Sequence, residues 1–104
     1  MFDPDKAFQE MEKAAEEMAE TEYQASLLEE LKPVMLAQLI SKLSDFAFNR
    51  AEVMAKADPV YEGHIKGMVA ARQKANRARA RYKNLQALFD GRRTVEASTR
   101  AMTR

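Results

Sequence analysis

The residues with the most evident chemical potential are a run of cations, Arg72, Lys74, Arg77, Arg79, Arg81 and Lys83. On a helix turning about 100° per residue, Arg72, Arg79 and Lys83 form one row and Lys74, Arg77 and Arg81 another. Rows of this kind either contact nucleic-acid phosphates, releasing condensed counterions, or pair with the carboxylates of a neighbouring helix. No aromatic stacking platform interleaves them, because Tyr82 belongs to an apolar seam described below. Charge pairing within a helical assembly therefore ranks ahead of DNA as the expected use, and a DNA-processing protein is a further candidate partner.

Other chemistry is scarce. His64 is the single histidine and there is no cysteine, which excludes disulfides, thiolate zinc sites, a cysteine nucleophile and a His-Cys pair. Ser26, Ser41, Ser44 and Ser98 have no nucleophile-elbow context. Glu12, Glu16 and Glu20 stand four apart, a spacing used in carboxylate metal bundles, but without the Glu-x-x-His partner motif. Gly63 and Gly67 form no phosphate loop, since no Gly-Lys-Ser/Thr follows them. The expectation is a protein that is not an enzyme, with no metal, no cofactor and no small-molecule substrate, in which His64 packs or caps.

The elements that must present the cationic rows are helices. Three Gly and three Pro in 104 residues, with 32% charged and 46% hydrophobic residues, describe one domain of long helices rather than a sheet or a disordered chain. The net charge of +1 conceals a strong polarity. Residues 1–31 hold ten acids and two lysines, net −8, whereas residues 59–104 hold eleven bases and three acids, net +8. The acidic segment from Met1 to Glu20 lacks the basic and apolar regions of a signal peptide, and the apolar stretch Val34 to Leu43 falls short of the ~20 residues that span a bilayer. A soluble, cytoplasmic protein that does not enter membranes is expected.

Asp3-Pro4 signals a helix start, predicting an acidic helix over 4–31 with an inward stripe of Phe8, Met11, Ala15, Met18 and Ala25. Pro33 predicts a kink or break after it. A middle helix over 34–57, with Leu36, Leu39, Leu43, Phe46, Val53 and Ala57 inward, is expected to be the best-buried part. Asp58-Pro59 repeats the start signal and predicts the hairpin bend, followed by a basic helix over 59–90. Its seam, His64, Met68, Ala71, Ala75, Ala78, Tyr82, Leu85 and Phe89, alternates spacings of four and three, as in a coiled coil. Gly91 is a candidate C-cap before an extension over 91–104. The predicted fold is all-α, an antiparallel helical hairpin with a Pro33-kinked first arm, assembling into a bundle.

Opposite that seam lie Val69, Gln73, Asn76, Ala80, Asn84 and Ala87, an uncharged row that is either solvated surface or the interface of a homo-oligomer. A chain this short has a thin core of its own, which favours the oligomer. The acidic arm either keeps the chain soluble or folds over the basic helix with Pro33 as its hinge and competes with an anionic ligand.

The stretches Asn49–His64, Ala78–Phe89 and Arg92–Arg100 resemble small helical accessory proteins of tailed bacteriophages encoded near recombination and replication genes. The resemblance covers about residues 45–104 and carries no catalytic motif. It implies a bacterial host cytoplasm and a role in phage DNA metabolism. Secretion-system needle proteins and export chaperones are a second family of short, cysteine-free helical hairpins that the chain resembles. That likeness implies an adaptor with protein partners alone.

Overall fold

Asp3 opens the first helix, its Oδ1 accepting hydrogen bonds from the amides of Asp5 at 3.1 Å and Lys6 at 3.3 Å. Pro4 takes the first helical position, where no amide is needed. In the computed structural model, which describes residues 2–103, this helix, α1 (Pro4–Ser41), runs through Pro33 without interruption. The boundary expected at residues 31–34 is absent. Pro33 withholds one amide from the Glu29 carbonyl, but both residues are at the surface, where water can serve that carbonyl. The turns on either side are held by inward residues, Ala25 and Leu28 before it and Met35 and Leu39 after it. Packing on both sides outweighs a local defect of about 3 kcal/mol.

The chain reverses at residues 42–47. Ser41 Oγ donates to the Gln38 carbonyl at 2.7 Å, and the amides of Leu43 and Phe46 bond to the carbonyls of Ile40 and Leu43 at 2.9 and 3.1 Å. Ser44 and Asp45, whose side chains compete for backbone hydrogen bonds, lie in this turn, which contains neither Gly nor Pro. A short helix α2 (Phe48–Lys56) follows, then α3 (Pro59–Thr103). Asp58 caps α3, its Oδ1 accepting from the Val60 amide at 2.8 Å. Asp58-Pro59 is thus a helix start, as predicted, but not the bend. At 1.5 Å per residue the 45 residues of α3 cover about 68 Å, and the molecule measures 83 × 18 × 16 Å, so α2 must lie end to end with α3. Together they form the returning arm of an all-α antiparallel hairpin, each packed on α1 and scarcely on the other.

The seam predicted in α3 points inward throughout, with Ala75 and Ala78 buried and the other six half-buried. Facing it are Ala7, Met11, Ala14, Met18, Thr21, Ala25 and Leu28 of α1, also at alternating spacings of four and three. Phe8, expected inward, is 66% exposed, because the inward phase passes through its small neighbour Ala7. The Thr21 hydroxyl is satisfied within its own helix, 2.8 Å from the Glu17 carbonyl and 3.2 Å from that of Met18. Alanines at the centre of the seam let the helices approach closely, yet no large side chain among the described residues is fully buried.

The expected middle helix over 34–57 is two pieces on opposite sides of the turn, so its stripe loses phase there. Leu39, Ala51 and Ala55 are buried, whereas Val53 is 69% exposed and Phe46, Phe48 and Met54 also face outward. Three of the seven buried apolar residues among those described nonetheless lie in this segment, divided between the two sides of the turn. Gly91 lies within α3 and does not adopt the positive φ of a C-cap. Phe89 packs beside Phe2 with ring centroids 6.0 Å apart, and beyond this point α3 continues past the start of α1 as an exposed helical overhang.

Candidate binding face

The two flanks of the α1–α3 seam differ in how their charges are used. On one flank Arg72 bridges the helices. Its Nε and Nη2 donate to the two carboxylate oxygens of Glu29 at 2.9 and 2.6 Å, and its Nη1 donates to Glu22 at 2.5 Å. Arg79 lies 3.4 Å from the same Glu22 oxygen. The Arg72 hydrogen bonds hold the Glu29 carboxyl below the usual glutamate range, partial desolvation opposing and the guanidinium charge adding to the effect. Hydrogen bonds to Glu29 and then Glu22 in turn raise the Arg72 guanidinium.

The other flank is looser. Arg81 lies 3.7 Å from Glu17, at the limit of an ion pair. Lys74 and Arg77 line a shallow groove with Glu17, Ala78 and Arg81. Neither they nor Lys83 form an ion pair among the described residues. Of the six predicted cations, Arg72, Arg79 and Arg81 thus reach carboxylates of α1, while Lys74, Arg77 and Lys83 form no ion pair among the described residues.

Sequence reasoning did not single out the carboxylates that meet them, Glu17, Glu22 and Glu29. They fall at the positions beside the seam once its phase is read from Ala7, Ala14 and Thr21 rather than from Phe8. Glu10, Glu12, Glu16, Glu20 and Glu30 face outward. The acidic arm is therefore already laid along the basic helix, with no break at Pro33 to serve as a hinge.

His64 packs, its Nε2 lying 2.8 Å from the Leu28 carbonyl. A carbonyl only accepts, so the Nε2 carries a proton and donates it. Val69, Gln73, Asn76, Ala80, Asn84 and Ala87 are all exposed, on the side of α3 away from α1. Among the described residues no group of three His, Cys, Asp or Glu side chains is placed to hold a metal ion, and no helix is long and apolar enough to cross a membrane.

No protein-family model matches the chain, and neither a curated protein nor a solved structure does. Its function rests on the geometry of the hairpin alone.

Proposed function

We propose that the protein is a non-enzymatic helical assembly factor whose activity is to pack against other helices, beginning with copies of itself. Incomplete burial supports this reading. The chain exposes 8020 Å², where a compact globule of 11.8 kDa exposes about 5,900 Å². The excess is more than twice the ~800 Å² that each partner contributes to a standard interface. Phe8, Tyr23, Phe48, Val53, Val60 and Val95 are each more than half exposed, while the hairpin's own core is a strip of alanines. Sedimentation velocity at micromolar concentrations is the test: a dimer or larger species is expected, and a strictly monomeric chain refutes the proposal.

A second reading has its own observation, the three cations Lys74, Arg77 and Lys83 without carboxylate partners among the described residues, on the same helix as Arg92 and Arg93 of the overhang. On this reading the assembled protein binds DNA, in keeping with the role in DNA metabolism that the phage resemblance implies. Fluorescence anisotropy at two salt concentrations decides it. Salt-sensitive binding, with a slope reduced by about 0.9 per phosphate contact on changing Lys74 and Arg77 to alanine, supports DNA. Absence of binding at low salt leaves the protein-only adaptor.

A further inference from the structure

The looser flank changes character towards the turn. Glu17, Gln24 and Leu31 follow one another at seven-residue intervals, as do Arg81, Lys74, Gly67 and Val60, so the Arg81–Glu17 pair marks the flank on which all of them lie. Leu27, Val34, Gly63 and Arg77 lie one step further out on the same side. Near the turn this flank is therefore apolar, with Leu27 and Leu31 both about 40% exposed and Val34 and Val60 about half exposed. A Cβ built on Gly63 or Gly67 meets nothing within 4 Å. Neither glycine serves the packing of α3 on α1, although each weakens the helix relative to alanine.

We infer that this flank is the docking surface for a second copy of the chain, related by a two-fold axis parallel to the length of the hairpin. The inference rests on the self-association proposed above and assigns its interface. Rotation about that axis lays α1 of each copy over the returning arm of the other at the same height. Leu28 lies beside His64 and Glu22 beside Arg72, which places Leu31 about level with Gly63 and Leu27 about level with Gly67. Each leucine then faces a glycine notch on the other copy. Further along, Glu20 comes level with Lys74 and Glu17 with Arg77, two cations of α3 on this flank that form no ion pair among the described residues. An axis across the hairpin would instead stack acidic α1 on acidic α1 and basic α3 on basic α3, which like-charge repulsion disfavours. On the opposite flank Arg72 and Arg79 already pair with Glu22 and Glu29, which leaves Lys83 of that row without an ion pair among the described residues.

Full-length chains carrying Gly67→Leu, and a mixture of two single-cysteine variants, Leu31→Cys and Gly63→Cys, test the arrangement. Leucine at position 67 meets open space in a single chain and favours the helix, so helicity is retained while overpacking of the notch raises the dimer dissociation constant about tenfold or more. Because the natural chain has no cysteine, oxidation of the mixture joins the two variants to each other in preference to either one to itself. Gly67→Leu associating as tightly as the parent, or disulfides that do not favour the mixed pair, overturns this interface while leaving self-association standing. A parent chain that sediments as a monomer overturns both.

Discussion

Pro33→Ala restores the one amide that the interior of α1 lacks and allows it to bond the Glu29 carbonyl. Alanine is favoured over proline in a helix interior by about 3 kcal/mol. Against this, the freer unfolded chain returns up to about 1 kcal/mol. The proline ring also lines a shallow apolar groove with Leu36, Ala37, Ile40 and Phe48, where it is exposed and contributes little. The net stabilisation is about 2 kcal/mol, or roughly 10 °C in Tm for a chain of this size. Melting followed by far-ultraviolet circular dichroism, with parent and variant at one protein concentration, measures it. An unchanged or lowered Tm at equal helicity would refute the reasoning. It would mean that the proline's distortion is part of how α1 fits its partner arm, rather than a defect that packing overrides.

Two further outcomes follow from the seam and its charges. Ala75 is 1% exposed between closely approaching helices, so Ala75→Leu forces them apart at a cost of about 1–3 kcal/mol, read as a lowered Tm; an unchanged Tm would place the helices further apart than described. Glu29 has a pKa lowered in the folded state, so its contribution is present above the ordinary glutamate pKa and is lost as pH falls through the folded value. The Tm difference between the parent and Glu29→Gln should be full at neutral pH and vanish in acid, and a difference that persists in acid would locate the effect elsewhere.

The parts of this fold that were legible in the sequence are those where local chemistry and tertiary packing agree. Asp3-Pro4 and Asp58-Pro59 do start helices, and the alternating seam from His64 to Phe89 does face α1, because side-chain period and helix geometry coincide there. Pro33 misleads only as a helix boundary, because a proline's penalty is local, whereas the residues that hold α1 together across it belong to another part of the chain. The turn at 42–47 carries no Gly or Pro, only Ser44 and Asp45, a weaker signal than the Asp-Pro that follows eleven residues later within a nearly continuous arm. In α1 size misdirects the reading. Phe8 is the larger apolar residue, but the close approach of the arms selects Ala7, Ala14 and Thr21. That one-residue error in phase also hid Glu22 and Glu29, and with them the pairing of Arg72. The basic rows themselves were visible, but which cations stay within the hairpin depends on the flank each occupies.

The position of the turn also sets the order in which the hairpin closes. Residues 42–47 bring α2 onto the end of α1 across a very short loop, at small entropic cost, while Phe2 and Phe89 can meet only once nearly the whole chain is in register. Closure from the turn outward is therefore the route of least entropic cost, and it reaches the pairing of Arg72 with Glu22 and Glu29 near its midpoint. Opening runs in reverse, peeling from the Phe2 end. Protection of backbone amides against hydrogen exchange therefore rises along α1 from its start towards the turn.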